Sequence, residues 1–320
     1  MTLFTIKKAF HEMKNMGLKK FLKTFKFQVS YHNKKKNNKY LKKIYKEYYP
    51  YVSKTYGGKN REYPSLTKEE KNMFFFWWDG IDSLPNKAKR NLERMKELYG
   101  DTFNIVFIDK HNFKEISGMK QIFIDAFMKN HISIQTFSDI LRFSLIYKKG
   151  GIWVDSTIFF TSKIDLESQL EKQSILSLGN QGMKGWFELN GEYCTWSDFF
   201  IGGRRNSLIC EAMLDLYEKY LSKHKDILIY FLIDDFLMLL KLADVEDGAL
   251  KRLSIYESSP FYIADHFKDE LSKNNLDMIY SVPQKIDRRE NYDNDNPNSI
   301  YNLVVLNGLS YEDAKKHCSM

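Results

Sequence analysis

The run of residues from Ser138 to Thr157 constrains the fold of this chain more than any other stretch. At about 100° per residue, Ser138, Asp139, Arg142 and Lys149 fall within roughly one quadrant of a helix, while Phe137, Ile140, Leu141, Phe143 and Tyr147 fill most of the rest. A helix that is apolar nearly all round is buried. Its narrow polar stripe then has to meet a polar wall, a ligand or a crevice, because a buried charge without a partner costs about several kcal/mol. The simplest local solution is an Asp139–Arg142 pair at the i, i+3 spacing. Lys148 and Lys149 suit the last helical turn, and Gly150-Gly151 supplies a left-handed stop. Ile152-Trp153-Val154 reads as a short buried strand that delivers Asp155 to its carboxyl end, where α/β proteins bind ligands.

Strand and helix signals alternate on both sides of this unit. Phe74 to Trp78 reads as a buried strand, Pro85 to Tyr99 as a helix opening on proline, and Asn104 to Ile108 as a second strand. Short helices are expected around Asn112 and over Gln121 to Met128. Beyond Asp155, Ser174 to Leu178 and Asp198 to Ile201 read as strands, Ser207 to Leu221 and Asp226 to Leu242 as helices, and Ile300 to Leu306 as a late strand. Asp287 to Asn298 is polar enough for a loop. Such alternation predicts an α/β sheet.

The chain has 320 residues, 43% of them hydrophobic, enough to bury a sizeable core in one large domain with or without an appendage. Cys194, Cys210 and Cys318 are odd in number and lack metal-ligand spacing, which argues against a disulfide framework or a zinc site. The longest apolar run, Ile227 to Leu240, is interrupted by Asp234 and Asp235 and falls short of the roughly 20 residues a membrane span needs. With no apolar core resembling a signal peptide near the amino terminus, the expected location is cytoplasmic.

The net charge of +8 is unevenly spread. Residues 1–50 hold 14 lysines against Glu12 and Glu47, which leaves the remainder of the chain net acidic. Within this arm Leu3, Ile6, Phe10, Met13, Leu18, Phe21, Leu22 and Phe25 recur at mostly three- to four-residue steps, the pattern of one or two amphipathic helices. Such a segment can lie on an anionic membrane surface, pack on the rest of the protein, or present a solvated basic face. Nucleic acid is not an expected partner, because base-edge recognition leans on arginine and none precedes Arg61. Tyr48 to Tyr63, with Pro50, Gly57 and Gly58, reads as a linker. The expected organisation is a basic helical arm over 1–50, a linker over 51–72, and a catalytic domain over 73–320 whose carboxyl-terminal part is variable and acceptor-facing.

The helix with Ser-Asp-x-x-Arg followed by Gly-Gly-Ile-Trp-Val-Asp resembles the sugar-nucleotide region of the capsular polysaccharide synthesis glycosyltransferases, relatives of the yeast-type mannosyltransferases and clostridial glucosylating toxins that carry a DXD motif. Phe74-Phe75-Phe76-Trp77-Trp78-Asp79-Gly80 with Leu84-Pro85 is similar to that family's first strand and turn, and Leu232-Ile233-Asp234-Asp235-Phe236 to a later segment. The resemblance implies a GT-A-like glycosyltransferase fold with a mainly parallel central sheet, and transfer of a sugar from a nucleoside-diphosphate sugar, UDP-linked by default. It further implies a saccharide or lipid-linked saccharide acceptor, retained anomeric configuration, and a place in capsule or exopolysaccharide assembly at the inner face of a membrane.

By the same resemblance Asp139 would bind sugar hydroxyls, Arg142 the sugar or diphosphate, and Asp155 the ribose and sugar or a metal through water. Asp234 would contact donor or acceptor; a capped or paired structural aspartate fits equally. Trp77 or Trp78 would cover the base, or fill the core. Arg204 and Arg205 could bind phosphate or stay solvated. The DXD positions read Asp155, Ser156, Thr157, and a neutral hydroxyl is a poor ligand for a hard cation. Any Mn²⁺ or Mg²⁺ is therefore expected to be held by Asp155, weakly by Thr157, and by the donor itself. Two other readings stand beside this one. A haloacid-dehalogenase-type phosphotransferase would need a second aspartate where Thr157 stands and Thr or Val where Phe159 stands. A non-catalytic, membrane- or polysaccharide-associated protein with a decayed nucleotide-sugar site would not need these acids at all.

Overall fold

The computed structural model describes residues 34–179, 187–227, 229–254, 256, 258–287 and 289–319. The chain begins there with helix α1 (Lys34–Tyr56), strand β1 (Asn72–Phe76), helix α2 (Asn86–Tyr99) and strand β2 (Asn104–Ile108). Helices α3 (Phe113–Ser117) and α4 (Gln121–Met128) lead into α5 (Ile134–Lys149), then β3 (Gly151–Val154), β4 (Ile158–Phe159), α6 (Leu166–Lys172) and β5 (Ile175–Ser177). A small hairpin, β6 (Glu188–Leu189) and β7 (Glu192–Tyr193), precedes β8 (Phe200–Gly203), α7 (Leu208–Lys223), α8 (Leu232–Leu242) and, after several short turns, β9 (Gln284–Lys285).

Five strands form the central sheet in the order β2-β1-β3-β8-β5. β1 runs parallel to β2 and β3, while β8 runs antiparallel to both of its neighbours, β3 and β5. The sheet is thus mainly parallel with one reversed strand, as a GT-A-like α/β fold requires.

Strand alternation divides the core into two layers. Phe74, Trp153 and Ile201 point to the side covered by α1, α5, α7 and α8. Met73, Phe75, Ile152, Val154 and Phe200 point to the side covered by α2 and α6. Both faces are covered over β1, β3 and β8, which explains why these strands read as continuous apolar runs. A third cluster, around Ile263, Ile279, Tyr301 and Val304, holds the carboxyl-terminal part against Phe159.

The motif helix follows its sequence closely. Ser133 caps α5 by accepting from the Thr136 amide at 3.2 Å. Phe137, Ile140, Leu141, Phe143, Leu145 and Ile146 are completely buried. Gly150, at φ 71°, ends the helix, and Gly151, at φ 117°, passes so close to β1 that a Cβ would stand 2.4 Å from the Asn72 carbonyl oxygen. Only glycine permits both the turn and the approach.

Three expectations are corrected. Helix α1 runs on through Pro50 to Tyr56, so the first part of the segment read as linker is helical. Its Leu41, Ile44, Tyr48, Val52 and Tyr56 are buried in the core shared with α7 and α8, and this packing outweighs one missing backbone donor at Pro50. Residues 301–306 form a helical turn rather than a strand, because Tyr301, Val304 and Val305 turn to one side, into the third cluster. Helix α8 begins at Leu232 rather than Asp226, since Asp226 pairs with His131 at 3.0 Å and the Ile227 amide donates to the His131 carbonyl, drawing that segment away. The amphipathic pattern from Leu3 to Phe25 lies outside the described residues.

Candidate active site

The Gly150-Gly151 reversal sends α5 and β3 back along one another. Arg142 lies eight residues before the turn, about 12 Å along a helix, and Asp155 five residues beyond it, about 16 Å along a strand. The first half of α5 therefore stands beside the carboxyl end of β3.

Arg142 is the hub of what gathers there. Its Nη2 lies 2.9 Å from Asp139 Oδ1 and 3.9 Å from Asp155 Oδ1, and its Nη1 lies 3.5 Å from Asp198 Oδ2 and donates to the Asp198 carbonyl. The guanidinium stands 5.2 Å from the centre of the Trp153 ring, whose indole N–H donates to Asp155 Oδ1 at 2.7 Å. One tryptophan in the sheet thus aligns both partners.

Exposure grades outward through the cluster. The Arg142 side chain is 4% exposed and Asp139 11%, whereas Asp155 and Asp198 are 31% and 36% exposed. The floor is a buried ion pair and the mouth carries two carboxylates open to a ligand. Burial, then the negative charges of Asp198 and Asp155, push Asp139 up to about 7 against the pull of Arg142. Burial works to lower Arg142, and the three carboxylates outweigh it and raise it. Burial, reinforced by the two neighbouring carboxylates, thus leaves the most buried acid at the edge of ionisation.

Asp234 lies in the first turn of α8, fully buried, and accepts from the Trp196 indole at 2.8 Å. Burial first, then the charge of Asp198, raise it well above the usual carboxylate range. It stands behind the ion-paired cluster rather than at its mouth. Asp235 is also buried, and neither of its oxygens has a hydrogen-bond partner among the described residues.

Trp77 and Trp78 follow the carboxyl end of β1, next to β3, and are half-buried on opposite sides of the sheet. The Trp78 ring packs 5.0–5.7 Å from those of Phe113, Phe127 and Phe137, and the Trp77 indole donates to Ser83 Oγ at 2.9 Å. Arg204 is elsewhere. β8 is antiparallel to β3, so its last residues meet the beginning of β3, with Gly203 opposite Gly151. There Arg204 is buried against Glu70 at 3.3 Å, at the end of the sheet away from Asp155.

Sequence reasoning missed two charged residues of the site. Asp198 was visible only as the start of a strand, and the reversed pairing of β8 with β3, together with the 2.9 Å bond from the Asp155 amide to the Phe199 carbonyl, brings it in. Lys285 carried no signal. β9 pairs with β4, placing Lys285 opposite Ile158, and its Nζ donates to Thr157 Oγ1 at 3.1 Å and lies 3.6 Å from Asp155 Oδ2.

These contacts bear on any metal. Among the described residues no three His, Cys, Asp or Glu side chains are grouped to hold one. Asp155 and Thr157 face an ammonium, and Asp139 and Asp198 face a guanidinium. The residues present do not fit a divalent cation held by the protein alone.

With this geometry in view, residues 18–304 match a described family, the capsular polysaccharide synthesis proteins. The chain belongs to that family. The match takes in α1 as well as the sheet, so the helix packed on the core is part of the capsular polysaccharide synthesis unit. Among solved structures, one titled "PaToxG Glycosyltransferase" is similar at 16% identity over 65% of this chain and 78% of that one, with a TM-score of 0.36. None of the curated proteins matches the chain.

Proposed function

We propose that this protein is a glycosyltransferase that moves a sugar from a nucleoside-diphosphate sugar, UDP-linked by default, to a saccharide or lipid-linked saccharide acceptor in capsule or exopolysaccharide assembly. The observation that carries this reading is the convergence of Asp139, Asp155 and Asp198 on Arg142 at the carboxyl end of β3. Carboxylates suit sugar and ribose hydroxyls because they accept several hydrogen bonds in fixed directions. In this reading Asp155 and Asp198 hold ribose and sugar at the mouth, Asp139 reaches a sugar hydroxyl from the floor, and Arg142 holds the three acids in place. Trp77 or Trp78 borders the base, and Asp234 fixes Trp196 behind the sugar. Transfer proceeds with retention, the acceptor hydroxyl attacking on the face the diphosphate leaves. The acceptor proton passes to the departing phosphate oxygen. Orientation and electrostatic support then supply most of the catalysis.

The test is a panel of nucleotide sugars scored for release of free nucleotide. One donor should be turned over, and Asp155→Asn should lower its turnover by about a hundredfold or more. A panel with no turnover and no nucleotide binding sinks the reading. Phosphatase activity in its place would favour the dehalogenase-type alternative.

A peripheral contact with anionic membrane belongs to the same reading. Lys35, Lys39, Lys42, Lys43 and Lys46 are exposed on α1, along the side away from its buried face. Lysines near a charged leaflet contribute about 1 kcal/mol each. No helix of the described residues is long and apolar enough to cross a membrane, so this contact would lie on the surface.

A further inference from the structure

We infer that Lys285 is the built-in cation of the site, meeting the donor diphosphate where a divalent metal would otherwise stand, so that donor binding needs no metal. The inference rests on the nucleotide-sugar reading and adds to it the group that answers the diphosphate charge.

Position comes first. Lys285 lies opposite Ile158 in the β4–β9 pair, and the neighbouring Ile286 amide donates to the Thr157 carbonyl at 2.7 Å. The backbone of the lysine is thereby pinned to the backbone of the Asp155-Ser156-Thr157 turn. Its Nζ stands between Thr157 Oγ1 at 3.1 Å and Asp155 Oδ2 at 3.6 Å, with the Phe199 ring centre 4.1 Å away. These two oxygens come from the two positions that would otherwise face a metal. An ammonium between them has the charge sign a cation there would have, and its contacts need only one carboxylate and one hydroxyl.

Availability comes second. The lysine side chain is 24% exposed, beside Asp155 at 31%, whereas Arg142 is 4% exposed and committed to three acids. The separation from Asp155 exceeds hydrogen-bond length, so among the described residues the ammonium is fixed by one hydrogen bond, to Thr157, out of three donors. Donors remain for phosphate oxygens.

Charge comes third. Asp139, Asp155 and Asp198 outnumber Arg142, and a diphosphate adds further negative charge to the mouth. Without a cation there the donor would be repelled. Lys285 supplies that charge without the coordination shell of several oxygens that a hard divalent ion demands. Phe199 holds the ammonium over its face and limits its wandering.

The experiment uses the full-length protein freed of metal with EDTA, titrated calorimetrically with UDP and GDP and, in parallel, with uridine and guanosine, then repeated in Mn²⁺. Wild type should bind one diphosphate with affinities in EDTA and Mn²⁺ that agree within about threefold. Lys285→Met, which keeps most of the aliphatic stem, should weaken that diphosphate by about tenfold or more and leave its nucleoside and the melting temperature unchanged. Lys285→Arg should restore much of the loss. Diphosphate binding that gains about tenfold or more from Mn²⁺ overturns the inference without touching the glycosyltransferase reading, and needs no variant to observe. Unchanged diphosphate affinity in Lys285→Met, or equal losses for diphosphate and nucleoside, overturns it as well. If wild type binds neither diphosphate in either condition, the donor reading and this inference fall together.

Discussion

At the scale of single residues, Asp139 has the clearest consequences. Its carboxyl titrates near 3.8 when unfolded and at about 7 in the folded protein. Between those values the unfolded chain releases a proton that the folded chain keeps. Its contribution to stability is therefore fully present below 3.8 and is lost as pH rises through about 7. Asp139→Asn removes this dependence. Melting curves of wild type against that variant should diverge as pH rises through this window, the wild type losing ground, and then run level above it. A constant difference across this window would mean that folding does not raise the Asp139 carboxyl. The same variant should lose most transfer while remaining folded, because the amide keeps the shape but not the charge. Arg142→Lys should do likewise, since a point charge cannot span Asp139, Asp155 and Asp198 as the planar fork does. Arg142→Met should instead cost about 3–5 kcal/mol of stability, measurable by urea denaturation, because it leaves Asp139 buried without its cation.

At the scale of elements, the reversal between α5 and β3 sets the site. Gly151→Ala would place a Cβ against the Asn72 carbonyl at a positive φ, and should cost about 2–4 kcal/mol as the β1–β3 pairing gives way. Its denaturation midpoint should fall accordingly, and an unchanged midpoint would show that the strands can separate without penalty. This element was readable in the sequence because everything that defines it is local: a cap, an apolar cylinder with one polar stripe, two glycines, a short strand. The i, i+3 spacing of Asp139 and Arg142 alone announced their pair. Asp198 and Lys285 were not readable for the opposite reason. Each reaches the site through antiparallel pairing between distant strands, β8 on β3 and β9 on β4, and nothing in the residues around Lys285 encodes that register. The turn at Tyr301 was misread because a run of β-branched and apolar residues suits either a strand or a helix face, and only the third cluster decides between them.

At the scale of the whole molecule, α1 does two things with two faces. Its buried side belongs to the core, so Ile44→Ala should lower stability by about 2–5 kcal/mol in denaturant titrations, as for any buried isoleucine. Its exposed side is spare charge. Replacing Lys35, Lys39, Lys42, Lys43 and Lys46 with glutamine should release the protein from anionic vesicles in a flotation assay and leave nucleotide binding intact. Vesicle binding that survives all five changes would place the contact elsewhere. The partners that seal the buried side are remote in sequence: Tyr56 donates to Asp215 at 3.1 Å, and Tyr49 to the Leu242 carbonyl at 3.2 Å. Synthesis at the usual pace separates such partners by about ten to forty seconds. Through that interval Leu41, Ile44, Tyr48 and Val52 have left the ribosome while the helices that will cover them are still being made. The growing chain carries an uncovered greasy stripe backed by lysines, and the helix made before the sheet reaches its final seat only once α7 and α8 exist.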